Sequence, residues 1–435
     1  MNHRVRLHCI ALFSVTVMGI MLAQTQMSSP HASNSDFISM DTEQKIRALV
    51  TKGNLPSLQA AVVSDGRIVW SKAFGQDTSV RAVYMNGSIQ KVFDATAILQ
   101  LHERGIVNID NDVNTYLPFP VRHPGYPQIP ITIKMLLAHR SGLDAFKDQF
   151  YWDTQGIFEH DSTQQRRHLD TLTLERFLRA SLDPAGTNYD AEAWRFEPGT
   201  QYHYSVSAYS LLKYILARVT GKTYPQYMRE YILEPLSMEE SVFTTEDSSV
   251  TYARPFTRKD GKNLPLPLWE GNVSLMRSTA KDMAMFLLVH MNDGSYGSVR
   301  ILNPETIALM HARHSHKKGL FHLTSNCPFP GYGLGIIDYG GDWYGHGGST
   351  VGFQSLWSFN KSSRSGYVIL TNVNGILHGQ KNFDDVWATV SAVEQVLKSV
   401  LEPPSTLKYL LLSLCFLAVG GGLIIFIRWR RARAQ

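Results

Sequence analysis

Two strand-rich regions stand far apart in this chain with a helix-rich stretch between them, and that arrangement limits the fold more than any other feature. On one side, LQAAVVSDGRIVWSKAFG (residues 58–75) alternates as a β-hairpin does, with Asp65-Gly66 as its two-residue turn. On the other, GYGLGIIDYGGDWYGHGG, TVGFQSLWSFN and SGYVILTNVN, within residues 331–374, predict three more strands with glycine-rich turns. Residues 384–401 have helical periodicity. Between the two regions lie KVFDATAILQLHERG, LTLERFLRAS, SAYSLLKYILARVTG and TAKDMAMFLLVHMNDG, all helix-like. The expectation is a mixed α/β protein. Strands from both ends of the chain form one antiparallel sheet flanked by helices, a mostly helical insert sits beside it, and a cleft between the layers holds the site.

The two termini predict a topology. Basic residues precede an apolar run of fifteen residues, Cys9 to Ala23, so residues 1–23 read as a signal peptide or an N-terminal anchor. Residues 409–427 carry no charge and are long enough to span a bilayer, so a C-terminal transmembrane helix is expected. Residues 428–435, RWRRARAQ, follow as a basic tail that the positive-inside rule keeps in the cytoplasm. The domain at 36–401 then lies on the outer, periplasmic or extracellular side of the cytoplasmic membrane. The formal net charge of +5 has the same origin. Without Arg4, Arg6, Arg428, Arg430, Arg431 and Arg433 the remainder carries −1, which argues against a nucleic-acid partner. The three cysteines, Cys9, Cys327 and Cys415, make no disulfide framework and no metal-type spacing.

Within NGSIQKVFDATAILQL (residues 86–101), Ser88 and Lys91 are one helical turn apart at the start of an apolar helix. Serine and lysine at this spacing occur six times: Ser88/Lys91, Ser210/Lys213, Ser278/Lys281, Ser315/Lys318, Ser358/Lys361 and Ser405/Lys408. The spacing alone therefore selects nothing, and a serine cap beside a solvated lysine explains any one of them. The first pair has a context that the others lack. Asn86-Gly87 precedes it, and a hydroxyl at a helix N-terminus meets free N–H groups that favour developing negative charge. A lysine in a desolvated cleft can lose its proton and take one from a serine.

Two further stretches complete a pattern. In QYHYSVSAYSLLKYILARVTGKTYPQYM, Tyr204 and Ser205 precede another apolar helix, and YGHGGSTVGF puts His346, Gly347 and Gly348 on a strand. Together with SIQK they resemble the three motifs of the serine β-lactamase and penicillin-binding protein superfamily: SxxK, a tyrosine motif, and a KTG-like triad on an edge strand. The chain is most similar to the class C β-lactamase-related branch, with DD-peptidases, D-aminopeptidases and carboxylesterases. LQLHERGIVNIDNDVNTYLP, ITIKMLLAHRSGLD, FEPGTQYHYS, VTGKTYPQYMREYILEPLSME and STAKDMAMFL resemble its recurring segments in order.

The resemblance implies a β-lactamase/DD-peptidase-like fold in which Ser88 attacks an acyl carbonyl. It gives Lys91 and Tyr204 the general-base work, and puts His346 where lysine is usual. Gly347 and Gly348 then let substrate approach the strand, and the N–H groups of Ser88 and Ser349 form the oxyanion hole. His139 reads as structural, since this chemistry needs no imidazole base. No cofactor or metal is implied. One departure bears on specificity: Val206 stands where these enzymes usually carry asparagine, and its side chain has neither donor nor acceptor. The expectation is an exported, membrane-anchored serine hydrolase acting on a small acyl substrate, esterase-like. A D-amino-acid peptidase or β-lactamase is the alternative within enzymes, and a catalytically inactive binder of wall peptide or a partner is the alternative outside them.

Overall fold

The structure is a computed structural model that describes residues 37–75, 79–144, 171–243, 247–268, 275–316 and 331–402. Its centre is an eight-stranded antiparallel sheet: β1 (Ser57–Ser64), β2 (Arg67–Gly75), β3 (Ser315–His316), β4 (Gly331–Tyr332), β5 (Ile337–Gly340), β6 (Trp343–Thr350), β7 (Phe353–Asn360) and β8 (Ser365–Thr371). They lie side by side in the order β2-β1-β8-β7-β6-β5-β4-β3, so strands from both sides of the helical stretch join where β1 pairs with β8. The hairpin β1–β2 closes through Asp65 and Gly66, with φ of 50° and 76°. A two-residue hairpin turn with both central residues at positive φ matches the twist of the flanking strands. Residues 331–348, expected as one strand, are split over β4, β5 and β6. Gly335 and the run Gly340-Gly341-Asp342, all at positive φ, break the extended chain between them.

Five helices frame the sheet and site: α1 (Met40–Lys52), α2 (Gln90–Glu103), α3 (Val206–Thr220), α4 (Ala280–Met291) and α5 (Gln380–Leu401). Leu58, Ala60 and Val62 of β1, with Tyr367 and Ile369 of β8, pack against Ile46 and Val50 of α1 and Val386, Val390 and Val393 of α5. The intervening residues, Ala61, Val63, Val368 and Leu370, face α4 and the helical insert. Both faces of the central strands are covered, which is why β1 and β8 read as near-continuous apolar runs. Helix α2 is buried at every position from Gln90 to Leu101, as expected of a helix surrounded by protein.

Two expectations change. The His346-bearing strand is not at the edge of the sheet, since β5, β4 and β3 lie beyond it. Its pairing with β5 nevertheless stops at Gly345, so His346–Thr350 is a local edge within an interior strand. The C-terminal transmembrane helix is not part of the fold described: among the described residues no helix is long and apolar enough to cross a membrane. The long final helix, α5, is amphipathic and turns its apolar side to the sheet. Residues 1–23, 409–427 and 428–435 lie outside the described residues, as do all three cysteines.

Candidate active site

Ser88 sits in a 3-10 turn, Gly87–Ile89, that runs directly into α2. Two glycines bring this turn against β6. Gly87 has φ 54°, and a Cβ there would lie 2.7 Å from the Ser349 backbone nitrogen. A Cβ on Gly348 would lie 2.1 Å from the Asn86 carbonyl oxygen and 2.2 Å from Ser355 Oγ, which itself donates to that carbonyl at 2.9 Å. Turn and strand therefore meet backbone to backbone, and the Ser88 and Ser349 peptides become neighbours.

This contact separates two adjacent glycines. Gly348→Ala must push the Asn86–Ser88 turn off the strand, whereas a Cβ on Gly347 finds only ordinary contact, 3.5 Å from Trp387. Fluorophosphonate labelling of Ser88 is expected to slow about 10²-fold in Gly348→Ala, the scale of a 1 Å misplacement, and only slightly in Gly347→Ala. Equal rates in the two variants would refute this account of the turn.

Lys91, buried on the first turn of α2, donates to Ser88 Oγ at 3.4 Å. Its ammonium lies 4.8 Å from the Tyr204 ring centroid and 5.4 Å from that of Tyr209. Face-on aromatic rings attract a cation without taking up its hydrogen bonds. The Tyr204 hydroxyl donates to Ser88 Oγ at 2.8 Å. Tyr204 is held from both sides. Next to it Ser205 caps α3, its Oγ accepting from the Ala208 N–H at 3.0 Å. On the other side His139 takes up the preceding backbone: its carbonyl accepts from His203 N–H at 2.7 Å, and its Nδ1 accepts from Ser205 N–H at 3.1 Å. His139 adopts φ 54°, unusual for a non-glycine residue, and burial holds its imidazole neutral, with Lys91 adding to the effect. This is a bracing role, in keeping with reading His139 as structural.

His346 on β6 is buried, and both of its ring nitrogens are engaged. Nδ1 donates to the Gly347 carbonyl at 2.6 Å, and Nε2 accepts from the Tyr332 hydroxyl at 3.2 Å. Burial, and next the nearby Lys91, lower its pKa to about 3, with the bond to Gly347 opposing. The ring is therefore neutral at physiological pH. Val206 is half-buried as the first residue of α3. Ser88, Lys91, Tyr204, His346, Gly348 and Ser349 converge on one place.

The other serine–lysine pairs lead elsewhere. Lys213 faces Asp94 at 3.7 Å, Lys361 bonds Asp293 at 2.7 Å, and Lys281 is exposed. Lys318, Ser405 and Lys408 lie outside the described residues. Four participants escaped the sequence reading: Tyr209, Tyr332, Asp94 and Lys213. Asp94 had left a signal, being an acidic residue three positions after Lys91 in an otherwise apolar helix. Tyr332 had left none, because its approach to His346 depends on the split of residues 331–348 into separate strands.

Residues 42–389 match the Beta-lactamase family. The chain belongs to that family. Protein flp of Staphylococcus aureus (strain MW2) is 25% identical over 364 residues, 77% of this chain, and the match spans 64% of the length of that relative. PbpX of Bacillus subtilis (strain 168) is 27% identical over 365 residues, covering 80% of this chain and 79% of the relative. The D-amino acid amidase structure from Ochrobactrum anthropi SV3, complexed with L-phenylalanine amide, superposes with a TM-score of 0.61. It covers 83% of this chain and 100% of its own at 20% identity, a likeness of fold.

Proposed function

We propose that this protein is a serine hydrolase that forms a covalent acyl-enzyme on Ser88 and prefers small neutral acyl esters. The observation that carries the reading is the convergence of Lys91 Nζ and the Tyr204 hydroxyl on one serine oxygen, at 3.4 and 2.8 Å, beside the backbone of β6. In the reaction Ser88 Oγ bonds to the acyl carbon and its proton passes to Lys91 Nζ, with Tyr204 as relay. The N–H groups of Ser88 and Ser349 stabilise the oxyanion until the leaving alcohol departs with a proton. Water, activated through Tyr204, then releases the acid.

Two features favour esters. Neutral His346 puts no positive charge on the strand position that faces substrate, so a substrate carboxylate gains no ion pair there. Val206 offers no partner for a substrate amide, and an unpaired buried polar group costs about 1–3 kcal/mol. The second reading, hydrolysis of D-amino-acid peptides, amides or β-lactams, draws on the fold shared with the D-amino acid amidase. Val206→Asn separates the two. The ratio of kcat/KM for a short-chain p-nitrophenyl ester to that for a β-lactam should be well above one in wild type. The substitution should shift it about 5- to 30-fold toward the amide substrate, equivalent to about 1–2 kcal/mol. Faster β-lactam than ester hydrolysis by wild type would rule out the ester preference.

We also infer that the domain works outside the cytoplasm, on the strength of the basic and apolar run within residues 1–23. An export-dependent alkaline phosphatase fused after Glu402 should be active, and inactivity there would place the domain inside.

A further inference from the structure

Behind Lys91, helix α2 buries a second charged residue, Asp94, one turn further on. The Tyr224 hydroxyl donates to Asp94 Oδ1, and Gln90 Nε2 donates to that hydroxyl at 3.0 Å. The other carboxylate oxygen, Oδ2, accepts no hydrogen bond among the described residues. It lies 3.7 Å from Lys213 Nζ, with only 2% of the Asp94 side chain and 13% of the Lys213 side chain exposed. Lys213 follows Tyr209 by one turn of α3, and Tyr209 carries the Lys91 ammonium against its ring. Asp94 thus stands between two lysines, one in the interior and one at the nucleophile. Both offset the burial of its carboxylate, Lys213 more strongly than Lys91.

We propose that Asp94 and Lys213 are positioning residues that balance one another's charge behind the site, leaving Lys91 free to accept the Ser88 proton. This rests on the acyl-enzyme reading above. A buried carboxylate without its own counter-ion would hold a proton on Lys91, and a buried ammonium without its carboxylate would drive that proton off. Among the described residues, the surroundings of Lys91 leave few other charges to consider. His139, after the short helix Ile133–Leu137, and His346 on β6 are kept neutral by burial. Tyr202, Tyr209, Tyr224 and Tyr332 are kept protonated by burial, and Tyr204 is the hydroxyl of the site itself. Among the described residues the charges left to act on Lys91 are therefore Asp94, on its own helix, and behind it Lys213, on the helix packed against it.

The test uses the full chain and a fluorophosphonate. Its reaction joins Ser88 Oγ to phosphorus, expels fluoride and hands the hydroxyl proton to Lys91. The second-order labelling rate should fall below an acidic limb set by that lysine. Asp94→Asn should move the limb about one pH unit down, and Lys213→Met about one unit up, roughly tenfold in rate on the limb in each case. The double variant should return close to wild type, and Lys213→Arg should leave the limb in place. Limbs that stay put, or move in the same direction in both folded single variants, would overturn the proposal. Should Asp94→Asn fail to fold by circular dichroism, Lys213→Met against Lys213→Arg decides alone, because only a charge effect distinguishes those two. Undiminished labelling of Ser88→Ala would instead remove the acyl-enzyme reading, and so identifies which of the two has failed.

Discussion

Ser88→Ala is expected to abolish single-site labelling by a fluorophosphonate and to lower ester turnover by about 10³-fold or more, as removal of a nucleophile does elsewhere. The size of the effect follows from what surrounds the oxygen. Lys91 and Tyr204 both point their polar atoms at Ser88 Oγ, and the turn that carries it is fixed against β6 by the Gly348–Asn86 contact. Removing one oxygen leaves the proton acceptor and the donor with nothing to act on, while the fold is untouched because Ser88 Oγ supports no other described group. Mass spectrometry of the labelled wild type should find the adduct on the peptide containing Ser88 alone. Labelling elsewhere, or retained turnover in Ser88→Ala, would refute the assignment. It would also leave standing the alternative of a binding protein with no catalytic serine.

What could be read from the sequence divides along a physical line. The hairpin with its Asp65-Gly66 turn, the strands at 353–360 and 365–371, and helices α2, α3, α4 and α5 were all legible, because turn chemistry and periodicity act over a few residues. The cluster around Ser88 was legible only through the order of three motifs, since five other serine–lysine pairs have the same spacing. What escaped depends on distant chain segments meeting. Asp94 and Lys213 are 119 positions apart on different helices, and only their packing makes an ion pair of them. The three short strands between residues 331 and 350 escaped for another reason: left-handed glycines broke a stretch whose composition reads as continuous strand. The apolar run at 409–427 lies outside the described residues, and among those no helix is long and apolar enough to cross a membrane.

Acid should unfold the domain through its buried histidines. His290 and His311 form a buried pair, His290 Nδ1 against His311 Nε2 at 3.2 Å, ringed by Phe286, Tyr344, Trp357 and Phe359. Burial lowers the His290 pKa to about 3, that of His346 to about 3, and those of His139 and His311 well below 6.5. An unfolded chain protonates each near 6.5, so below that pH the unfolded state binds more protons. Stability is full above 6.5 and falls by about 1.4 kcal/mol per pH unit per histidine until the folded value is reached. By pH 5, His290 and His346 together remove about 4 kcal/mol. Asp282 works the other way. Burial raises its pKa to about 6, so its contribution is present below 3.8 and lost as pH rises through 6, and acidification from pH 7 to 5 restores about 1 kcal/mol. Asp94, also raised by burial, opposes the histidines in the same sense. His139 and His311 add to the loss, so four histidines stand against two carboxyls and the balance stays destabilising, by about 3 kcal/mol from His290, His346 and Asp282, against about 5–15 kcal/mol for a typical fold. The Tm should drop by about 4 °C between pH 7 and pH 5. Replacing both members of the pair, His290→Leu with His311→Leu, removes two titrating rings without orphaning either nitrogen, and should flatten the slope. A Tm that is constant or rises toward pH 5 in wild type, or an equally steep fall in the double variant, would show that these rings do not set the acid limit.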